Sequence, residues 1–394
     1  MTGPAGPSTS DDRRAGPSYR DGTRSVHAGL PPAETGAPLL PGPVFAAPFH
    51  LGGPAGNVGG EPPPGLDHYG REGNPTWRRY EQALAELEGG EVVLFSSGMA
   101  AITALLLPIL RPGDAVVIPA DGYFTGRAVG THLAERGVTV REVPTARPLS
   151  EKDVDGARLV LVETPSNPGL DLCDIAAAAD LAHAHGALLA VDNTTATPLG
   201  QRPLDLGADF VVSSDTKALS GHSDLLLGHV TAADPERAAA LRHWRTSTGS
   251  IAGPFEAWLA HRSLATLDLR LARQAENALA LVDLLAGRPE VAGLRYPGWA
   301  RDPAHALALR QMRRFGGVLS FRLASSAAAA RFLTTARLVY AATSFGGLHT
   351  TADRRAQWGG DAVGPGFLRL STGCEDPADL VADVETALHG LPPA

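Results

Sequence analysis

The sequence predicts an α/β protein, with a mostly parallel central sheet flanked by helices and a smaller α+β region behind it. Three observations carry this. Apolar, β-branched runs alternate with helical runs between Val92 and Ser213, the pattern that successive strand–helix–strand crossovers produce. Polar residues cluster just after those runs, where open α/β sheets hold their ligands. From about Phe255 the alternation gives way to a long helix-prone stretch and isolated strands.

Taken in order, residues 1–22 are mostly Gly, Pro, Ser, Asp and Arg. They read as a disordered tail without a signal-peptide core. Residues 23–70 form a Pro- and Gly-rich arm with apolar anchors at Val44, Phe45 and Phe49, extended and in need of a surface to lie on. Pro75 to Gly90 reads as a helix, with Trp77, Tyr80, Leu84 and Leu87 at three- and four-residue steps and a Gly-Gly stop. Strands are expected at Val92–Phe95, Ala115–Ile118, Val138–Val143, Leu159–Glu163, Leu188–Asp192 and Phe210–Ser213, with one more at Leu225–Val230. Helices are expected at Met99–Leu110, Arg127–Arg136 and Ile175–His185. A large domain over 71–257 follows from this alternation. A small domain over 258–394 would open with one helical stretch, Trp258 to Leu285, and hold strands near Val318–Leu323 and Phe367–Ser371.

Composition excludes several function classes. A net charge of −8 argues against non-specific nucleic-acid binding. No apolar run reaches the roughly 18 residues that span a bilayer. Cys173 and Cys374 are too few for a disulfide framework and point to a reducing cytoplasm. No metal is expected: His183 and His185 are spaced two apart on a probable helix, which aims them at different faces.

The chain has two lysines against 32 arginines. Lys152 sits in an acidic loop, whereas Lys217 follows the apolar run Phe210–Val212 and Ser213-Ser214-Asp215-Thr216. Arginine cannot replace a lysine that must lose its proton and attack a carbonyl. Imine chemistry, with pyridoxal phosphate as the cofactor, is the first expectation. Ser97-Gly98-Met99 opens a helix after a strand and reads either as a phosphate seat or as a capped helix start. Asn167 lies in a loop set by Pro165 and Pro168, which an ordinary turn would also explain. Asp192 ends an apolar strand, where it either caps a helix or pairs with a cation such as a pyridinium nitrogen. Lys217 lies 25 residues further on, room for a connection and a return strand. No G-x-G-x-x-G or G-x-x-x-x-G-K-[ST] occurs, which disfavours dinucleotide and P-loop folds.

Seven ordered motifs resemble the cystathionine γ-lyase / methionine γ-lyase / cystathionine γ-synthase family of pyridoxal-phosphate enzymes. They are Tyr69-Gly70-Arg71 with Gly73-Asn74-Pro75-Thr76, Ser97 to Ala101, Glu163 to Pro168, Val191 to Thr194, Thr216-Lys217 with Gly221 to Asp224, Ser344 to Gly347, and Leu368 to Gly373. The resemblance implies a fold type I, aspartate-aminotransferase-like architecture. It implies that Lys217 holds the cofactor as an imine and then serves as acid and base, that Asp192 pairs with the ring nitrogen, and that Tyr123 stacks on the ring and assists proton transfer. Gly98, Met99, Ser214 and Thr216 would bind the phosphate. Tyr69 and Arg71 would reach the phosphate of a neighbouring subunit. Arg369 would clamp the substrate carboxylate, helped by Asn167 and the Ser344 backbone. A homotetramer, a dimer of dimers with shared active sites, is implied, and no nucleic acid or membrane partner.

The chain departs from the family pattern at Gly70 and Phe124, and at His68 and Thr343, where the γ-lyases carry acidic residues. Thr125 stands at the place of the reactive cysteine of methionine γ-lyases, which disfavours that activity. Segments Thr343 to Thr351 and Trp358 to Asp361 look similar to actinobacterial-type cystathionine γ-lyases. The expected activity is therefore cleavage of L-cystathionine to cysteine, 2-oxobutyrate and ammonia. Replacement on an activated homoserine is the main alternative, and methionine γ-lyase or β-lyase activity a further one.

Overall fold

A computed structural model describes residues 19–50 and 67–394. The tail expected before residue 19, and residues 51–66 of the arm, lie outside the described residues. Asp21 and Gly22, expected in the tail, instead open a helix, Asp21–His27. Its end is tied to the body, where His261 Nε2 lies 2.8 Å from the Ala28 carbonyl.

The larger sheet has seven strands: β1 (Glu91–Phe95), β2 (Ala115–Pro119), β3 (Thr139–Val143), β4 (Ala157–Glu163), β5 (Leu188–Asp192), β6 (Phe210–Ser213) and β7 (Gly228–Ala232). Their spatial order is β1-β7-β6-β5-β4-β2-β3. The run from β3 to β6 pairs in parallel, while β7 is antiparallel to both β1 and β6. Helices Phe124–Glu135 and Ile175–Ala184 carry the chain back between parallel strands, whereas the segment from β6 to β7 holds no helix and the chain returns antiparallel. The strand expected at Leu225–Val230 is β7, starting three residues later. Central strands are buried on both faces, so they read as nearly continuous apolar runs.

The smaller sheet has five strands: β8 (Ala292–Arg295), β9 (Val318–Arg322), β10 (Tyr340–Ala341), β11 (Thr351–Asp353) and β12 (Phe367–Ser371), in the order β10-β11-β12-β9-β8. Leu319, Phe321, Leu368 and Leu370 pack on Phe332 and on residues of helices Leu267–Leu285 and Pro377–Leu388. The Phe321 and Phe332 rings meet edge-on, 6.0 Å apart. β9 and β12 match the sequence expectation; β8, β10 and β11 are too short or too exposed for periodicity to reveal. The single helical stretch expected over Trp258–Leu285 is two helices, Pro254–Leu264 and Leu267–Leu285, broken at Ala265-Thr266.

Helix Pro75–Glu88 begins where Asn74 Oδ1 accepts the Thr76 N–H at 2.8 Å, and it ends at Gly89, whose φ of 89° suits glycine. Glu81 on this helix ties three elements together. Its Oε1 accepts from Leu94 N at 2.9 Å and from Arg245 Nη1 at 2.6 Å, and Arg245 also donates to Leu94 O at 3.0 Å. Both side chains are buried. Removing one partner leaves the other charge uncompensated. Glu81→Gln is therefore expected to lower the unfolding free energy by roughly 3 kcal/mol in a denaturant titration; a loss below about 1 kcal/mol would show that the pair is solvated.

Candidate active site

A cavity of about 420 Å³ opens beyond the carboxyl ends of β4, β5 and β6 and is closed by residues from the smaller sheet. Each strand end contributes one polar group: Glu163 from β4, Asp192 from β5, and Ser213 leading into the Lys217 turn from β6. Parallel strands in register deliver these groups side by side, with Glu163 opposite Asp192 and Asp192 opposite Val212.

Lys217 Nζ donates to Ser344 Oγ at 2.9 Å. Burial lowers the ammonium to a pKa of about 8, Arg369 and Arg355 push it the same way, and Asp192 opposes them. Ser344 holds a φ of 71°, a left-handed conformation costly for a residue with a Cβ. The rest of its turn sustains it: Gly346 N donates to Ser371 Oγ at 2.8 Å, and a Cβ on Gly346 would lie 2.6 Å from Ala218 N.

Arg369 on β12 is buried. Its Nη1 donates to Asn167 Oδ1 at 2.6 Å and its Nη2 to Ser344 O at 2.7 Å. Its guanidinium carbon lies 5.1 Å from the Phe345 ring centroid. Burial and the nearby Arg355 lower its pKa to about 10, so it stays a cation at neutral pH. A fork held at a cavity wall this way suits a carboxylate.

Burial pushes the Asp192 carboxyl up, and Thr194 N, donating to Oδ1 at 3.0 Å, opposes this. Glu163 is pushed well above its ordinary value by burial and then by Asp192. Its oxygens accept from Tyr123 N at 2.7 Å and Asn167 N at 2.8 Å. Two acids thus share one wall, and a cation beside Asp192 would relieve it. Tyr123 also lines the cavity; the residue is 37 % exposed and its ring lies 5.2 Å from that of Phe124.

Helix Gly98–Ile109 starts at the cavity floor, with Ser97 Oγ capping Ala100 N at 3.1 Å. The chain is closely stacked there: a Cβ on Gly98 would lie 2.6 Å from Ser214 Cβ, and one on Gly228 2.6 Å from Gly98 Cα. This leaves the first N–H groups of the helix beside Ser214, a seat for an anion. Thr216 Oγ1 is already engaged with Leu227, 3.0 Å from its N and 3.2 Å from its O.

Thus Gly98, Met99, Tyr123, Asn167, Asp192, Ser214, Thr216, Lys217, Ser344 and Arg369 all line one cavity. Tyr69 and Arg71 do not: Arg71 Nη1 donates to Thr246 O at 3.1 Å, and its guanidinium lies 5.3 Å from the exposed Tyr69 ring. His68 pairs with Glu72 instead of entering the cavity. Sequence reasoning missed Arg355, which lines the cavity and is held by Asp353 at 3.1 Å and Asp361 at 2.8 Å, with Phe124 5.5 Å away. Arg127 joins this cluster through Gly360 O. The available signal was the alternation of charges in Asp353-Arg354-Arg355 and Asp361 around Trp358.

A lowered Lys217 pKa means that the nucleophilic, neutral amine accumulates as pH rises through the folded value. In protein freed of pyridoxal phosphate, acylation of Lys217 by an amine-selective reagent, followed by peptide mass spectrometry, is expected to rise with a midpoint near pH 8. A midpoint at the ordinary lysine value, about 10.4, would contradict the burial described here.

Comparison with known proteins agrees with this geometry. Residues 55–389 match the family described as Cys/Met metabolism PLP-dependent enzyme. A Streptomyces coelicolor protein provisionally named a cystathionine gamma-lyase is 55% identical over 373 residues, covering 93% of each chain. The cystathionine gamma-synthase of Mycobacterium bovis is 41% identical over 385 residues, covering 93% of this chain and 96% of its own. A solved methionine gamma lyase from Micromonospora echinospora superimposes with a TM-score of 0.86 at 36% identity, covering 94% of this chain and 99% of its own. These likenesses match the fold type I expectation. The chain belongs to the Cys/Met metabolism family of pyridoxal-phosphate-dependent enzymes, and pyridoxal phosphate is its cofactor.

Proposed function

We propose that this enzyme is a cystathionine γ-lyase, splitting L-cystathionine and water into L-cysteine, 2-oxobutyrate and ammonia. The observation that carries the reading is the Arg369–Asn167–Ser344 fork beside the Lys217 amine, joined to the 55% identity with the Streptomyces relative. The fork receives an α-carboxylate and so sets the substrate's Cα near Lys217.

Bound cofactor supplies an electron sink for carbanions at Cα and Cβ. The chain's residues supply the rest. Asp192 would hold a proton on the ring nitrogen, and Tyr123 would cover the ring face. Gly98 and Met99 would offer N–H groups to the phosphate, with Ser214 and Thr216 alongside. Lys217, with a proton affinity near neutrality, takes protons from carbon and returns them. The Cγ–S bond then breaks, the departing thiolate takes up a proton, and water releases the four-carbon remainder as 2-oxobutyrate and ammonia.

γ-Replacement on an activated homoserine is the second reading, favoured by the 41% identity with the mycobacterial γ-synthase. Purified, cofactor-loaded enzyme incubated with L-cystathionine is expected to yield cysteine and 2-oxobutyrate by mass spectrometry. Absence of 2-oxobutyrate, with Lys217 still reducible onto the cofactor by borohydride, would move the assignment to γ-replacement.

We also propose a cytoplasmic homotetramer whose active sites draw Tyr69 and Arg71 from a neighbour. Two observations support sharing. Both residues lie outside the cavity of their own chain, and Phe45 of the arm is 71 % exposed. No helix among the described residues is long and apolar enough to cross a membrane. Mixing Arg71→Ala with Lys217→Ala subunits is expected to restore part of the activity, since one site in a mixed dimer keeps both residues. Verified heterodimers with no activity would refute the sharing.

A further inference from the structure

Behind the cavity, on the far side of the Lys217 turn, lies a cluster of ionisable side chains that the chemistry above does not use. Asp215 and His229 are fully buried, as is Tyr80, and Glu88 is nearly so. Asp215 Oδ1 lies 2.6 Å from His229 Nδ1, and its Oδ2 accepts from Tyr80 OH at 3.0 Å. His229 Nε2 lies 3.2 Å from Glu88 Oε1, and Thr231 Oγ1 donates to the other Glu88 oxygen. Both ring nitrogens of His229 thus face carboxylate oxygens, an arrangement that suits the doubly protonated ring. Burial opposes that charge, but Asp215 and Glu88 outweigh it and raise the histidine to about 10.

A buried ion set is a weak source of stability, because apolar residues of the same volume often do as well. Its position suggests another use. Ser214, Thr216 and Lys217 line the cavity, whereas Asp215, between them, turns away into the cluster. The cluster is rooted in rigid elements: Tyr80 and Glu88 on helix Pro75–Glu88, and His229 on β7, opposite Ser213 of β6. The far half of the turn is tied down as well. Arg270, from helix Leu267–Leu285, donates to Ala218 O at 2.6 Å and to Leu219 O at 3.2 Å.

We propose that Asp215, buttressed by His229 and Tyr80, is a positioning residue for the cofactor. It holds the turn from behind, so that the Ser214 hydroxyl and the Lys217 amine keep one arrangement toward the cavity. This rests on Lys217 as the cofactor-bearing lysine. That premise has its own check: borohydride reduction of the wild-type holoenzyme must label Lys217.

Asp215→Asn preserves shape and removes one charge. It is expected to raise the dissociation constant for pyridoxal phosphate about tenfold and to move the pH midpoint of the bound cofactor's visible absorbance by at least about half a unit. The charged groups that act on Lys217 from the cavity side, Arg369, Arg355 and Asp192, are untouched. Glu81→Gln serves as the control. It breaks a different buried pair on the same helix, one that meets β1 and not the turn, and should lower stability while leaving both cofactor readouts at wild-type values. His229→Asn, which spares the Asp215–Tyr80 bond, should shift both readouts in the same direction by less, and gives the test should Asp215→Asn not fold. Wild-type cofactor affinity and pH midpoint in the variants that fold would overturn the proposal. So would equal loosening of the cofactor in Glu81→Gln.

Discussion

Arg369 is the residue through which the two sheets share one site. It sits on β12 of the smaller sheet, yet its guanidinium bonds Asn167 beyond β4 and the carbonyl of Ser344. Ser344 in turn accepts from Lys217, which follows β6. One buried cation therefore links Lys217, the strained Ser344 turn and the Asn167 loop. Asp353, opposite Arg369 in the β11–β12 register, lies 3.6 Å away and is shared with Arg355. The clamp thus comes already fixed in direction, which limits the ordering that a substrate carboxylate must impose.

The electrostatics follow from that placement. Lys217 lies near two guanidiniums and only one compensating carboxylate, so burial and repulsion together bring its proton affinity toward neutrality. Asp192 and Glu163 face the complementary problem, two acids on one buried wall. A cation beside Asp192 would relieve that wall, and an anion would suit the helix N-terminus at Gly98.

One wall of the cavity is built differently from the floor. Phe124, Thr343, Arg355 and Trp358 line it, and they come from distant parts of the chain. Arg127 reaches from helix Phe124–Glu135 to Gly360, so the segment after β11 is docked against the start of that helix. A Cβ on Gly360 would lie 2.7 Å from Phe124 Cγ, which accounts for a glycine there.

The parallel core, the lone reactive lysine and the carboxylate that ends β5 were all legible in the linear sequence. Each leaves a local mark: a doubly buried strand is an unbroken apolar run, and Lys217 is one of two lysines against 32 arginines. Family motifs singled out Tyr123, Asn167 and Arg369, which folding brings to one cavity. Other features had no local mark. β10 and β11 are too short to show a period, and the break at Ala265-Thr266 carries neither glycine nor proline. Asp215, His229 and Glu88 look like unrelated polar residues until folding brings them together, 14 and 127 positions apart. Arg355 likewise gains meaning only when the smaller sheet closes the cavity. Sequence order carries the chemistry that backbone periodicity and residue type impose, whereas charges meeting across long separations depend on how the two sheets pack.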